Sequence, residues 1–179
     1  VTASEAGGEF LLRRAVGRLK ENWDVVLLDC PPSLDRVTVN ALVAADEVLL
    51  PVALRFPSLE PLGRLFQLVA QVGERLNPGL GVLGIVGVGM DSRKRHPEEV
   101  LEKLREQFGE LVFDAVIRET IRFPEATANS KVITLFDTRS LGAKDFRSLA
   151  AEVIERLKGS SKKKRSDQSK KTVKKNEKK

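Results

Sequence analysis

The strongest constraint on how this chain folds is the segment DVVLLDCPPS at residues 24–33, where four consecutive apolar residues lead to Asp29 and then to two prolines. Such an unbroken apolar run is typical of a strand that is covered on both faces, as in parallel α/β sheets. Ligands of these sheets bind beyond the carboxyl ends of the strands. The segment therefore predicts a buried strand that brings Asp29 to the metal side of a nucleotide site.

Strand and helix patterns alternate along the rest of the chain. Apolar runs predict strands at residues 47–52, 80–88 and 111–117. Helical periodicity predicts helices at residues 9–20, 38–45, 62–76, 97–108 and 141–157, whereas 125–131 is ambiguous and 132–136 fits a short strand or a loop. This alternation predicts an α/β fold in which a mostly parallel sheet has helices on both faces.

Charge is distributed unevenly along the sequence. Residues 158–179 hold eleven Lys and Arg against Asp167 and Glu177, a net charge of +9, so the remaining residues carry −3 of the total of +6. A basic run with almost no apolar residues cannot bury enough surface to fold alone. We therefore expect one domain at residues 1–157 and a disordered Lys-rich tail at residues 158–179. The tail either contacts a polyanion or only improves solubility. Its candidate DNA contacts are Lys162, Lys163, Lys164 and Arg165.

Several classes of protein are disfavoured by the composition. Cys30 is the single cysteine of the sequence, which excludes a disulfide within this chain, and no histidine lies near it, so we expect a small buried side chain instead of a nucleophile. No apolar run reaches the roughly 18 residues of a membrane-spanning helix, and no signal-type segment is visible. We expect a cytoplasmic protein that does not bind membranes. The first residue is Val instead of Met, which fits a partial chain but does not distinguish it from a genuine short protein.

The phosphate-binding motif G-x-x-x-x-G-K-[ST] does not occur between residues 1 and 179. An aspartate at a strand end, followed by a switch-type loop, is the other half of the nucleotide site in phosphate-binding NTPases. The sequence thus predicts half of an ATPase site, and it leaves enzymatic activity of this chain open.

Three segments carry a family resemblance: DVVLLDCPPSLDRVTVNALVAADEVLLPV at residues 24–52, MDSR at 90–93 and IRETIRFPEA at 117–126. In this order they resemble the ParA/Soj-type chromosome and plasmid partition ATPases, the deviant-Walker-A group that also includes MinD and the nitrogenase iron protein. The resemblance implies a P-loop NTPase-like fold, here the carboxyl-terminal two thirds with the amino-terminal part missing. It also implies ATP and Mg²⁺ as cofactors.

The resemblance implies partners as well. Members of the family form an ATP-dependent homodimer that binds DNA nonspecifically at the nucleoid. A ParB-like centromere-binding protein stimulates hydrolysis and so releases the DNA. The missing amino-terminal region would supply the first strand, the glycine-rich phosphate loop and the aspartate that positions water, so we expect no catalysis without it.

The resemblance assigns nucleotide-side roles to residues of the first matching segment. Asp29 matches the aspartate that reaches the Mg²⁺ shell, directly or through water. Cys30, Pro31 and Pro32 match the switch loop that follows it. These four residues are the predicted metal-side half of the nucleotide site.

Further residues match the base side of the nucleotide site and the DNA-facing side of the dimer. Met90 and Asp91 match the strand end that approaches the base. Ile117 and Arg118 match the loop beside the base, although family members often have proline in place of Arg118. The DNA-facing matches are Arg93 and Arg122, which could instead be ordinary solvated side chains.

Two other functions remain open from the sequence. A chain without the phosphate loop can act as a non-enzymatic adaptor that binds DNA or a ParB-like protein. A MinD-like ATPase with another cargo is the second alternative. The tail lacks the apolar face that a membrane-binding helix of the MinD kind needs, which disfavours membrane attachment.

Overall fold

The computed structural model describes residues 8–19, 22–31, 33, 35–55, 60–91 and 93–176, with side chains described as far as residue 160. Its helices are α1 (Leu11–Gly17), α2 (Arg36–Ala44), α3 (Glu60–Arg75), α4 (Arg95–Phe108), α5 (Arg122–Ala128), α6 (Ile133–Phe136) and α7 (Leu141–Asn176). Its strands are β1 (Glu47–Ala53), β2 (Gly81–Met90) and β3 (Ile117–Arg118). Single 3₁₀ turns lie at Gly8–Phe10 and Gly109–Leu111.

The three strands form one sheet in the order β1-β2-β3. The main-chain N–H of Gly81 donates to the Asp46 carbonyl oxygen at 3.0 Å, and that of Leu54 donates to the Val88 carbonyl oxygen at 2.9 Å. Residue numbers therefore rise together along β1 and β2, which is the parallel arrangement. Strands β2 and β3 are also parallel. The predicted α/β fold and its predicted strands at residues 47–52 and 80–88 are confirmed.

The chain divides into two compact units, of which the first comprises residues 1–48 and 58–82. Its buried core contains Leu42, Val43, Val69 and Val72. The Asn77 side chain follows α3 and donates from Nδ2 to the carbonyl oxygens of Leu42, at 3.0 Å, and Ala45, at 2.7 Å. Because these carbonyls end α2 without a helical partner, the buried amide satisfies them and ties the two helices together.

The second unit comprises residues 49–57 and 83–179. Its main core cluster contains Leu83, Val86, Phe113 and Ile117. Gly84 is needed there because a Cβ at this position would lie 2.5 Å from the carbonyl oxygen of Leu111 and 2.6 Å from the Phe113 ring. The main chain of β2 and that of the segment before β3 therefore approach closely at this glycine.

An Arg–Glu pair on α7 stabilises the chain that leads into β3. The Arg156 guanidinium lies 3.8 Å from the Phe113 ring centroid and donates to the carbonyl oxygen of Val112 at 3.0 Å. Glu152 binds Arg156 at 2.7 Å and accepts the N–H groups of residues 114 and 115 at 3.2 Å and 3.0 Å. These contacts satisfy main-chain groups that have no strand partner of their own.

The strand predicted at residues 24–29 is wrong for this structure. Residues 25–30 have no regular secondary structure, and the side chains of Val25 and Leu27 are 50% and 86% exposed. A strand forms only when a neighbouring strand accepts and donates its main-chain hydrogen bonds. None of the described residues pairs with this segment, so Val25 and Leu27 remain exposed while Val26 and Leu28 are half-buried.

Three other elements also differ from their predictions. Residues 111–117 form only an isolated bridge between Ile85 and Val112 and the two-residue β3. Residues 132–136, predicted as strand or loop, form the one-turn helix α6. Helix α7 continues to Asn176, so residues 158–176 of the segment expected to be disordered lie in this helix. Lys and Arg have good helix propensities and no proline follows Leu141, so a helix that starts on the core can continue.

The helices also show whether any segment is long and apolar enough to cross a membrane. Within the ranges given above, no helix combines the length and the apolar character that crossing a membrane requires.

Candidate functional site

The predicted metal-side segment is extended and exposed. Asp29, Cys30 and Pro31 are all exposed, whereas Pro32 lies outside the described residues. The expectation that Cys30 is buried is wrong, because the unpaired segment does not pack against a sheet. Partial desolvation and the nearby Asp29 carboxylate raise the pKa of the Cys30 thiol, and its Sγ donates to the Leu28 carbonyl oxygen at 3.7 Å. A higher pKa leaves less of the thiol in the nucleophilic thiolate form at neutral pH.

The chain after this segment is anchored by a capping motif that the sequence argument missed. Asp35 Oδ1 accepts the N–H groups of Val37, at 2.9 Å, and Thr38, at 3.4 Å, and so caps the first turn of α2. Ser33 Oγ donates to Asp35 Oδ2 at 2.8 Å, and the Thr38 hydroxyl donates back to the Ser33 carbonyl oxygen. The Ser33 hydrogen bond and the two N–H groups lower the pKa of Asp35.

The surroundings of Asp29 bear on its predicted role as a Mg²⁺ ligand. It is exposed, and the described residues contain no group of three or more His, Cys, Asp or Glu that would hold a metal ion. Mg²⁺ commonly takes one or two carboxylates and completes its shell with water and substrate phosphates. One accessible carboxylate fits that use, but it does not make a metal site by itself.

The predicted base-side residues lie together at the carboxyl end of β2. Met90 lies opposite Arg118 in the β2–β3 register, and Val88 lies opposite Ile117. Asp91 follows Met90 directly. The Ile117 side chain, however, is 4% exposed and belongs to the hydrophobic core, so it does not reach a ligand. Met90 and Arg118 therefore lie side by side at this edge of the sheet, and Asp91 follows Met90 as a buried residue.

A cleft of about 500 Å³ opens beside β3 within the second unit. Met90 and Arg118 line it, and so do side chains of α7 that the sequence argument did not single out. Its lining residues from α7 are Asp145, Ser148 and Glu152. The spacing of Ser148 and Glu152 by four residues places both on one face of the helix, which was the available sequence signal.

Arg118 is held by a buried carboxylate of α7. Asp145 is 7% exposed. Its Oδ2 accepts the main-chain N–H of Arg118 at 3.0 Å and also the Nε–H of the Arg118 side chain at 3.0 Å. The Nη2 group of Arg118 donates to the other carboxylate oxygen, Oδ1. Hydrogen bonding to Asp145 raises the pKa of the Arg118 guanidinium. Asp145 thus occupies Nε and Nη2 of the Arg118 guanidinium, while 40% of the Arg118 side chain stays exposed. Arg118 therefore both lines the cleft and fixes β3 to α7.

Asp91 organises the basic loop that follows β2. Its carboxylate accepts the Arg93 main-chain N–H at 3.2 Å and Nε at 3.0 Å, and it lies 3.2 Å from Lys94 Nζ. Hydrogen bonds from the Arg93 side chain and main chain, followed by that from Lys94, hold the pKa of Asp91 well below its usual range. Asp91 is 8% exposed, whereas the Arg93 side chain is 88% exposed. The carboxylate is therefore buried under cations that face the solvent.

The other predicted DNA-contacting residues are placed differently. The Arg122 side chain is 50% exposed and pairs with Glu125 and Asp137. Lys162, Lys163, Lys164 and Arg165 belong to α7, but their side chains lie outside the described residues. Only Arg93 and Arg122 among the predicted contacts therefore have a described geometry.

Solved structures identify the class of protein. Cobyrinic acid a,c-diamide synthase from Mycobacterium smegmatis has a TM-score of 0.71 at 30% identity, covering 86% of this chain and 56% of that one. The same enzyme with bound ATP analog and magnesium has a TM-score of 0.61 at 35% identity, covering 65% and 48%. The cell division ATPase MinD of Pyrococcus furiosus has a TM-score of 0.67 at 27% identity, covering 83% and 59%. The chain has a P-loop NTPase-like α/β fold.

Sequence comparison narrows this class. The AAA domain family model matches residues 2–82. The sporulation initiation inhibitor protein Soj of Bacillus subtilis is 38% identical over 145 residues, which cover 81% of this chain and 57% of Soj. The chromosome partitioning protein ParA of Caulobacter vibrioides is 39% identical over 149 residues, which cover 82% of this chain and 56% of ParA. The chain belongs to the ParA/Soj/MinD family of ATPases, and it spans about half the length of the curated relatives it matches.

Proposed function

We propose that this chain functions as part of a ParA/Soj-like ATPase of chromosome or plasmid partitioning. In the complete protein, ATP and Mg²⁺ bind, a homodimer forms, and the dimer holds DNA without sequence preference until a ParB-like partner stimulates hydrolysis. Its place is the cytoplasm, at the nucleoid, without membrane attachment. This chain supplies Asp29 on the metal side, the cleft beside Met90 and Arg118 on the base side, and cations for DNA.

The observation that best supports the proposal is the arrangement at the end of β2. Met90 lies opposite Arg118 beside a cleft, and Arg93 and Lys94 follow within the next four residues on a loop held by Asp91. Ligands of parallel α/β sheets bind at such carboxyl ends. An open cleft and a basic loop at the same strand end suit a protein whose nucleotide state governs its binding to DNA.

We expect no ATP turnover by this chain alone. Phosphoryl transfer depends on positioning and on charge stabilisation, which the amides and the lysine of a phosphate loop largely supply. The sequence of residues 1–179 has no such loop. When bound, Mg²⁺ neutralises charge on the phosphates; the contribution of Asp29 is one carboxylate that orients a water of that ion or touches it directly.

The ATP experiment compares this chain with two variants of the same segment. Asp29→Ala removes the proposed metal-side carboxylate, and Asp24→Ala removes a carboxylate from the other end of the segment as the matched control. Mg²⁺-dependent ATP binding and hydrolysis are measured with and without DNA. We expect no turnover from any of the three proteins. Turnover that Asp29→Ala abolishes and Asp24→Ala leaves intact would contradict the half-site.

DNA binding by the basic residues makes a separate prediction. Neutralising phosphates releases counterions, so affinity falls steeply as salt rises. Deleting residues 159–179 removes ten Lys and Arg and two acidic residues. We expect weaker binding to a random-sequence duplex and a flatter plot of log affinity against log salt. Unchanged affinity and slope would leave the tail with a solubilising role only.

A non-enzymatic adaptor is the second candidate, and the lack of a phosphate-loop motif in this sequence favours it. Such a chain would bind DNA or a ParB-like protein, or pair with a complete subunit, without a role for Asp29. A MinD-like ATPase with another cargo is the third candidate. An adaptor predicts that a ParB-like protein binds the chain equally with and without ATP, whereas the partition ATPase predicts dependence on nucleotide once the phosphate loop is present.

A further inference from the structure

Arg122 is engaged by two carboxylates from different parts of the second unit. Its Nη1 donates to Glu125 Oε2 at 2.9 Å, one turn further along α5, and its Nε lies 3.5 Å from Asp137 Oδ2. The side chains of Arg122, Glu125 and Asp137 are 50%, 42% and 31% exposed. The guanidinium is therefore accessible to solvent and already paired.

Asp137 is held in place by the start of α7. Its Oδ1 accepts the Ser140 N–H at 3.1 Å, and Ser140 Oγ accepts the Ala143 N–H at 3.2 Å, which caps the helix. The oxygen that faces Arg122 is thus the second oxygen of a carboxylate already fixed by the main chain. Glu125 has a longer side chain and no such anchor among its described contacts. The two carboxylates differ in how easily they can move away.

We infer that Glu125 and Asp137 compete with DNA phosphates for Arg122 and so set the strength of this contact. The inference rests on the proposed DNA binding and adds how that binding is tuned. A guanidinium offers five N–H donors and binds a phosphate best through two of them side by side. Here Nη1 and Nε, on different edges of the fork, already point to carboxylates.

The competition is weak enough for a phosphate to win. Ion pairs between exposed side chains contribute little, because solvent screens them and the side chains lose freedom in forming them. A phosphate can therefore displace Glu125 first, while anchored Asp137 stays near and repels it. Such an arrangement suits a contact that a partition protein must form and release repeatedly, since it lowers affinity without removing the cation.

The test is a double-mutant cycle measured as binding to a random-sequence DNA duplex at fixed salt. Glu125→Gln with Asp137→Asn removes both charges and keeps acceptors for the local hydrogen bonds. Glu102→Gln with Glu106→Gln removes two charges from the exposed surface of α4 and controls for net charge alone. Each pair is made in the parent chain and in an Arg122→Gln background. All proteins are checked for native circular dichroism.

We expect the Glu125/Asp137 pair of substitutions to tighten binding by about two- to fivefold beyond the α4 control, the range for exposed ion pairs. In the Arg122→Gln background this excess should vanish. An excess that persists without Arg122, or no excess in the parent chain, would overturn the inference while DNA binding itself stands. If the parent chain binds no DNA, the DNA contacts proposed for this chain fail together with the inference.

Discussion

Similar apolar residues are exposed in the segment around Asp29 and buried near the strand ends of the second unit. Leu27 lies in a run of four apolar residues in the first unit and is 86% exposed, whereas Leu54, which follows β1 directly in the second unit, is fully buried. The difference lies in pairing, since β1 has β2 beside it and residues 25–30 have no strand neighbour among the described residues. An apolar run shows that a segment can be buried, but the segment is buried only when a neighbouring strand pairs with it.

The same contrast applies to charge. Asp29 is exposed, whereas Asp91 and Asp145 are 8% and 7% exposed and bind cations of their own unit. A buried carboxylate needs a partner to offset the loss of water, and an exposed one does not. Asp91 and Asp145 are thus paired within the second unit, whereas the exposed Asp29 carboxylate is accessible to a ligand.

The largest predicted effect compares one chemical change at two leucines. Leu54→Ala removes side-chain atoms from a closed core and should lower the free energy of unfolding by about 2–5 kcal/mol. Leu27→Ala acts on an exposed side chain and should change it by at most about 0.5 kcal/mol. Urea unfolding followed by circular dichroism measures both. A loss at Leu27 as large as that at Leu54 would mean that the Asp29 segment is packed.

Arg118→Met should have the next largest effect. It leaves the buried Asp145 carboxylate with the Arg118 N–H as its remaining described partner, so we expect a loss of about 2–3 kcal/mol in the free energy of unfolding. Arg139→Met, at an exposed arginine of the same unit, is the control and should stay within about 0.5 kcal/mol. Equal effects of the two substitutions would show that Asp145 does not depend on Arg118.

Asp91 predicts a smaller, pH-dependent effect. Because the pKa of Asp91 is lower in the folded chain than when unfolded, its stabilising contribution is complete above its unfolded value of about 3.9. That contribution is lost as pH falls through the folded pKa. Asp91→Asn should therefore be less stable than the parent chain at about pH 7, and the gap should close below about pH 4. A gap that stays constant on acidification would contradict the ion pairs with Arg93 and Lys94.

Local patterns predicted most of the regular elements. The apolar runs of β1 and β2 and the periodicity of α3 and α4 are properties of short windows, and the structure confirms these elements. The same kind of window failed at residues 24–29, because strand formation depends on a partner that the window does not contain. It also failed for α6, which is a single turn and too short to show a helical period.

The candidate site was predictable in position more than in chemistry. The family resemblance and the strand ends located Met90, Asp91 and Arg118, which the parallel register brings to one edge. Neither signal predicted that Asp145, 27 residues after Arg118, binds Arg118, or that Asp137 approaches Arg122. Such pairs join residues that are distant in sequence, so no local spacing reveals them. The capping role of Asp35 was visible as an acidic residue before a helix and was overlooked.

The central proposal is that the extended segment around Asp29 carries one half of an ATPase site. The direct test fuses a family segment that holds the first strand and the phosphate loop ahead of Val1 and measures Mg²⁺-dependent ATP hydrolysis. The account predicts turnover by the fusion, none by the parent chain, and loss of the fusion's turnover with Asp29→Ala but not with Asp24→Ala. Turnover by the parent chain, or a fusion that is indifferent to Asp29→Ala, would contradict it.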